Sequence, residues 1–500
     1  MLRFFLRSAL LSLCLPMFDS SINAQVAFPN SETLYRPILH FTPQKGWMND
    51  PNGMFYKDGL YHLFYQHYPN GTTWGPMHWG HATSKNLIQW QHHPIALYPD
   101  SIGLIFSGSA VVDYNNTSGL GVDGKAPIVA IFTQHDMKGE QAGKVDFQNQ
   151  SIAYSNDEGL SWKMYKANPV LTNPGIKDFR DPKVIWHAPS KKWIMALAVK
   201  NKVSIYTSSN LIHWEKASDF GMQLGNHDGV WECPDLFPVK YKSKTIWVLT
   251  VSINPGGPNK GSATQYFIGN FDGKNFSTPS KETKWIDYGA DNYASVTWSN
   301  TGNNIISMGW MSNWLYAQQV PTENWRSAAT IARKLDIQEV NGSLYLRSLP
   351  IANLPFNKAE KLSKYFNHDN DAQLIFPCKL NIDAMPLEDF AIALSNTIGE
   401  KLIFGYEAKT NRFYVDRTLS GKTNFHTDFA ARHYAPRIAN NKRINLQVIL
   451  DKASIELFAD NGLTVMTDIF FPSAPYTAIT VDSKNNQLFD KASLNNYLTP

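Results

Sequence analysis

The heptapeptide Ser84-Lys-Asn-Leu-Ile-Gln-Trp90 returns almost unchanged as Ser208-Ser-Asn-Leu-Ile-His-Trp214. Each copy places a turn ahead of an aromatic, and two looser copies keep that plan: Asn156-Asp-Glu-Gly-Leu-Ser-Trp162 and Asn270-Phe-Asp-Gly-Lys-Asn-Phe276. Trp90, Trp162, Trp214 and Phe276 therefore recur at intervals of 72, 52 and 62 residues. A repeat of about 60 residues holding several short strands has the size of a propeller blade, and about 300 residues from Ile38 hold five. A chance pair of similar turns is the plainer alternative.

The sequence around these turns is built of short runs rich in Val, Ile, Tyr, Phe and Trp, broken at close intervals by Gly, Asn, Asp and Pro. Gly59-Leu-Tyr-His-Leu-Phe-Tyr65, Ile128-Val-Ala-Ile-Phe132, Trp193-Ile-Met-Ala-Leu197 and Thr245-Ile-Trp-Val-Leu-Thr250 are examples. Long segments of helical period are scarce, so the chain reads as all-β. From Ser348-Leu-Pro350 to Lys364 the composition turns to Pro, Asn and Lys. Beyond it, Lys401-Leu-Ile-Phe-Gly-Tyr406, Arg443-Ile-Asn-Leu-Gln-Val-Ile-Leu450 and Ser454-Ile-Glu-Leu-Phe458 read as antiparallel strands of a β-sandwich. The expected order is a five-bladed β-propeller over 25–350, a linker over 351–364 and a C-terminal β-sandwich over 365–500. Two domains also suit a chain of 500 residues.

Residues 1–24 read as a signal peptide: Arg3 and Arg7, an apolar stretch from Ser8 to Phe18, then small polar residues to Ala24 before Gln25. The apolar run is too short to span a bilayer, and no later run is long enough. An exported protein, periplasmic or extracellular, is expected. Cys14 follows Leu13 where lipid attachment wants a small residue, so a lipid anchor is disfavoured. Net charge is +4 with 18% charged residues, and no long Lys/Arg run offers a footprint for nucleic acid. Aromatics make up 13% of the chain, including 15 Trp, which suits sugar-stacking walls and propeller cores equally. Beyond the leader only Cys233 and Cys378 remain, far apart, so no structural disulfide is expected. Cys233 reads as a small packing residue.

A propeller brings residues from the inner strands of successive blades to one end of its axis, so acids about one blade apart are candidates for shared chemistry. Three meet that demand. Asp50 lies in Trp47-Met-Asn-Asp-Pro-Asn-Gly53, where Pro51 fixes the backbone and Gly53 ends the turn. An Asx-turn without chemistry is the plainer reading of Asp-Pro-Asn-Gly alone. Asp181 lies in Phe179-Arg-Asp-Pro182, where Arg180 is placed to keep a carboxylate ionised, or where both form a surface turn. Glu232 lies in Val230-Trp-Glu-Cys-Pro-Asp235, between neighbours that solvate a charge poorly and favour a working general acid. A buried structural Glu usually has an evident basic partner.

Trp47 to Gly53, Phe106-Ser-Gly-Ser109, Phe179 to Pro182 and Trp231 to Asp235 resemble the signature blocks of the family-32 glycoside hydrolases: invertases, inulinases, levanases and fructan exohydrolases. Further blocks follow in order: His78-Trp-Gly-His-Ala-Thr-Ser84, Asn254-Pro-Gly-Gly-Pro258, Tyr266-Phe-Ile-Gly-Asn-Phe-Asp-Gly273, Gly309-Trp-Met-Ser-Asn-Trp314, Pro321 to Arg326 and Ser454 to Pro472. The resemblance spans nearly the whole mature chain and implies the propeller-plus-sandwich fold. It matches Asp50 to the nucleophile and Glu232 to the acid/base. Asp181 matches a third acid that binds fructose hydroxyls and stabilises the transition state. By the same match, Asn49, Gln66, Trp74, Phe106, Ser107, Arg180 and Trp314 surround the terminal fructosyl unit. Tyr293, in Asp291-Asn-Tyr-Ala294, matches an aromatic beside the acid/base. The implied activity is retaining release of terminal β-D-fructofuranosyl residues from levan or inulin, and from sucrose.

No cofactor or metal is implied, and His62, His67, His78, His81, His92 and His93 show no ligand motif. Three other readings stay open at this point. They are endo action on levan, an inverting arabinan- or xylan-cleaving propeller enzyme, and a non-catalytic fructan-binding protein on the same scaffold. Oligomeric state is not legible.

Overall fold

The four turns singled out above occupy one place in the architecture, the connection between the third and fourth strands of an antiparallel unit. In the computed structural model, which describes residues 31–365, 374–483 and 491–498, the Asn86 side chain accepts the backbone N–H groups of Ile88 and Gln89 at 3.0 and 2.9 Å. Asn210 does the same for Ile212 and His213 at 3.1 and 2.9 Å. Leu87 and Leu211 then adopt φ of 64° and 65°, and both bury their side chains. The expected signal peptide, with Cys14, lies outside the described residues.

Five such units follow one another. Their first strands are Gly46–Lys57, Leu104–Val112, Phe179–His187, Val230–Tyr241 and Tyr293–Thr297. Each of these inner strands touches the next, and the fifth touches the first, so the five sheets close into a propeller. The seam between first and last blades is stitched by backbone: Ser299 N–H donates to Met54 O at 3.0 Å, and Tyr56 N–H to Ser299 O at 2.9 Å. Trp325–Arg326 then pairs in parallel with Gly46 and Trp47 and covers the inner edge of the first sheet. The fifth blade joins Arg333–Val340 to Ser343–Pro350 through Asn341-Gly342, both at positive φ. This two-residue hairpin turn leaves no room for a fifth heptapeptide.

Packing explains why strands of this kind must stand side by side. Each of the five seams between blades has its own apolar core, such as Phe55, Phe64, Trp79, Ile105 and Phe132 between the first two. Others are Val129, Ile131, Val184 and Trp193 between the second and third, and Ile205, Trp231, Leu249 and Phe267 between the third and fourth. Both faces of most strands are covered, as in Ile128–His135, which is buried throughout.

The C-terminal part is a sandwich of a six-stranded and a five-stranded sheet, packed over a core that includes Leu380, Ile392, Phe404, Phe413, Val448 and Leu457. Within the 351–364 stretch, Phe356 bridges to Tyr497, and Glu360–Lys361 already pairs with Ala492–Asn496. The edge strand Thr464–Ile469 turns toward the propeller, where Tyr288 N–H donates to Val465 O at 2.8 Å and Asp291 N–H to Thr467 O at 3.0 Å. Buried ion pairs cross the same joint. His40 lies between Asp451 (2.9 Å) and Glu456 (2.8 Å), and Arg333 binds both Glu456 and Asp287. Cys233 and Cys378 are buried and unpaired with each other. Among the described residues no helix is long and apolar enough to cross a membrane.

Candidate active site

Every inner strand breaks register near its start. The shifts fall between Met48 and Pro51, between Ile105 and Gly108, between Glu232 and Asp235, and between Tyr293 and Val296. In the third blade the break lies opposite the span from Arg180 to Lys183. A bulge re-aims the side chains beside it, and the five bulges carry Asp50, Ser107, Asp181, Glu232 and Tyr293, one from each blade. Asp181, Cys233 and Ala294 take positive φ of 63°, 44° and 51° to do so. A non-glycine residue held there is strained unless its surroundings fix it.

Contacts tie the group together. Ser107 Oγ donates to Asp50 Oδ2 at 2.8 Å, while Asp50 Oδ1, buried, meets no hydrogen-bonding partner among the described residues. Cys233 sits between two of the acids. Its N–H donates to Asp181 Oδ2 at 3.0 Å, and its Sγ lies 3.5 Å from Asp50 Oδ2 and 3.7 Å from Asp181 Oδ2. Arg180 spans the third and fourth blades, donating to Glu232 Oε1 from Nη2 at 2.9 Å and from Nε at 3.2 Å. Its Nη1 is braced by Asp178 at 2.7 Å. Tyr293 OH donates to Glu232 Oε2.

The sequence placed Arg180 as the partner of its neighbour Asp181, but the guanidinium stands 3.9 Å from that carboxylate and binds Glu232 more closely. Of the apolar neighbours expected to enclose Glu232, Cys233 stays in the site but Trp231 turns away. Trp231 faces the blade core and donates to Asn226 O, because alternate residues of a strand point to opposite sides. Glu232 thus meets a cation and a phenol. Burial pushes Asp50 above the usual aspartate range, opposed by hydrogen bonds from Asn49 and Ser107 and reinforced by the Glu232 charge. Burial likewise lifts Asp181 to about 7, although Arg180 pulls the other way. The charges of Glu232 and Asp50 add to that rise at Asp181.

The remaining candidates form the wall. Trp74, Phe106 and Trp314, partly exposed, pack on an apolar cluster that includes Trp47, Met77, Cys233, Tyr293 and Trp310. Trp314 stacks on Trp47 at 5.8 Å, and Trp74 meets Phe106 edge-on at 6.1 Å. Asn49 is buried beside Asp50, and its Oδ1 accepts Trp47 Nε1 at 2.8 Å. Gln66 is buried opposite Trp79 on the next strand, with its Nε2 meeting no partner among the described residues. Sequence reading missed Thr133, whose Oγ1 accepts the Asp181 N–H at 2.9 Å, and Asp178; neither carries a local signal. His62, His81 and His93 of the first blade stack in a row, His62 Nδ1 lying 3.1 Å from His81 Nε2.

Residues 40–348 match the N-terminal domain of glycosyl hydrolases family 32, and residues 352–496 match the C-terminal domain of the same family. The chain belongs to family 32. Among family-32 proteins, the levanase of Bacillus subtilis is 43% identical over 460 residues, covering 88% of this chain and 66% of that protein. The extracellular exo-inulinase of Aspergillus niger is 39% identical over 489 residues, covering 89% and 91%. The solved β-fructofuranosidase of Schwanniomyces occidentalis, complexed with fructosyl-erythritol, superposes with a TM-score of 0.84 at 34% identity, covering 94% of this chain and 99% of that one. The exo-inulinase of Aspergillus awamori gives 0.81 at 34% identity. The family-32 fold agrees with the propeller expected from the repeat and the sandwich expected from the strands that follow it.

Proposed function

We propose that this protein is a retaining β-fructosidase that removes terminal β-D-fructofuranosyl residues from levan or inulin, and from sucrose. The convergence of Asp50, Asp181 and Glu232 from three different blades, with Ser107 and Tyr293 from the other two, carries the reading. Family-32 membership and relatives named levanase and exo-inulinase support it. In this mechanism Glu232 gives a proton to the glycosidic oxygen as Asp50 attacks the anomeric C2, and the leaving group departs as an alcohol. Ser107 orients the Asp50 carboxylate through Oδ2. Water that loses its proton to Glu232 then opens the fructosyl ester and regenerates both groups. Tyr293 both donates and accepts, so it can hold Glu232 in either protonation state, whereas Arg180 only donates. A ketose C2 carries an extra carbon substituent that supports positive charge, and Asp181 adds electrostatic stabilisation.

The boundaries and address belong to the same proposal: a signal peptide over 1–24, a catalytic propeller over 25–350, a linker over 351–364 and a sandwich over 365–500. The protein would be exported, to the periplasm or beyond, and N-terminal sequencing of the mature chain should begin at Gln25. Incubation with levan, inulin and sucrose tests the activity. Fructose as the sole new product from the fructans, first formed as the β-anomer by NMR, is expected. A ladder of oligosaccharides would make the enzyme endo-acting, and an α-anomer would make it inverting. Fructan binding without hydrolysis would make it a binding protein.

A further inference from the structure

Two members of the site, Tyr293 and Trp314, each stand two residues from a side chain gripped by the sandwich. Asp291 accepts three hydrogen bonds: from Arg417 Nη1 at 2.7 Å, from Tyr316 OH at 2.7 Å and from the Ile469 N–H at 2.9 Å. Arg417 lies on the sandwich strand Arg412–Leu419. Its Nη2 donates to Tyr316 OH at 2.8 Å and its Nε to Phe429 O at 2.7 Å, with the guanidinium over the Phe429 ring at 3.9 Å. Arg417 and Asp291 are fully buried, and Tyr316 nearly so. The backbone leading to Tyr293 is fixed as well. Residues 288–291 pair with the sandwich edge, and Asn292 Nδ2 donates to Asp287 Oδ2, which Arg333 and Thr467 also hold.

A buried ion pair adds little net stability over a well-packed apolar pair, so its use here points to geometry: a planar fork accepts few arrangements of its partners. We propose that Arg417 of the β-sandwich is a positioning residue for hydrolysis. Through Asp291 it holds Tyr293 against Glu232, and through Tyr316 it holds Trp314 at the pocket wall. The inference rests on Glu232 being the acid/base, as proposed above. It makes the sandwich a structural part of the active site, although none of its described residues hydrogen-bonds to Asp50, Asp181 or Glu232.

Full-length Arg417→Met, Tyr293→Phe and the double variant, with Glu232→Gln as control, test it by steady-state kinetics across pH on inulin, corrected for folded protein by circular dichroism. Misplacing a catalytic contact by about 1 Å can cost roughly a hundredfold, so Arg417→Met is expected to lower kcat roughly ten- to a hundredfold and to shift the pH dependence of kcat. Tyr293→Phe should then cost much less in the Arg417→Met background than in the natural chain, because both act on one contact. Additive losses, or an unchanged kcat–pH profile accompanied only by a lower melting temperature, would overturn the inference. Should Arg417→Met not fold, Tyr316→Phe replaces it. That variant removes one hydroxyl, and is expected to raise KM and to be non-additive with Trp314→Ala; additivity overturns the inference equally. Failure of the functional reading looks different: the natural chain would not hydrolyse fructans, or Glu232→Gln would remain active.

Discussion

Each of the three acids answers to its immediate contacts. With Glu232 as proton donor and acceptor, Glu232→Gln should lower kcat on inulin by roughly 10²–10⁴, the usual span for general acid–base catalysis, and unchanged turnover would remove Glu232 from the mechanism. The Ser107 hydrogen bond favours ionised Asp50 against the burial that disfavours it. Ser107→Ala therefore raises the Asp50 pKa further, and the acid limb of kcat/KM should move to higher pH. Asp181 makes the opposite kind of test. Its folded pKa of about 7 lies above the unfolded value, so the site loses stability as pH rises from about 4 through 7. Asp181→Asn should abolish activity yet melt at higher temperature at pH 8, with a gain on the order of a few kcal/mol at most. Local sequence went only part of the way here. Asp-Pro-Asn-Gly around Asp50 is as good a turn as an active site, and what separates the two readings is Ser107, 57 residues away.

Strands and turns were the most legible level. The heptapeptides marked the outer turn of two blades and their looser copies that of two more, because an Asn or Asp side chain that caps its own turn leaves a local signature. Bulges leave none. A strand with an extra residue reads like any other, so the device that aims all five site residues was invisible until the pairing was seen. Cys233 shows the demand most sharply, with a buried side chain at φ of 44° between two carboxyl groups. A β-branched side chain tolerates that φ poorly. Cys233→Val should therefore destabilise the protein by about 1–3 kcal/mol and sharply reduce kcat. Cys233→Ala, which keeps the backbone and removes only a weak donor, should keep kcat within about tenfold. Equal effects of the two on thermal melting and kcat would show that the strained backbone at the bulge is not what matters.

At the scale of the whole molecule, propeller and sandwich are joined by buried charge, and that joint has its own dependence on pH. His40 is held between Asp451 and Glu456, whose hydrogen bonds and charges raise its pKa to about 9 despite complete burial. Since the folded value exceeds the unfolded one near 6.5, His40 contributes stability that is complete below pH 6.5 and disappears as pH rises through 9, up to about 3 kcal/mol. His62 and His67 in the first blade act in reverse. Burial lowers both to about 4, so their contribution is complete above pH 6.5 and is lost as pH falls toward 4. Across that acid window Asp181, whose folded value is raised, changes stability in the other direction. Alkali should then be the harsher side for the joint. Urea midpoints are expected to fall between pH 6.5 and 9.5, and His40→Asn, less stable at pH 6.5 because buried Asp451 loses its cation and Glu456 keeps only Arg333, should show a flatter alkaline limb. If that variant kept the full alkaline slope, the loss would have to come from elsewhere than the joint that holds Asp291 and Arg417 in place.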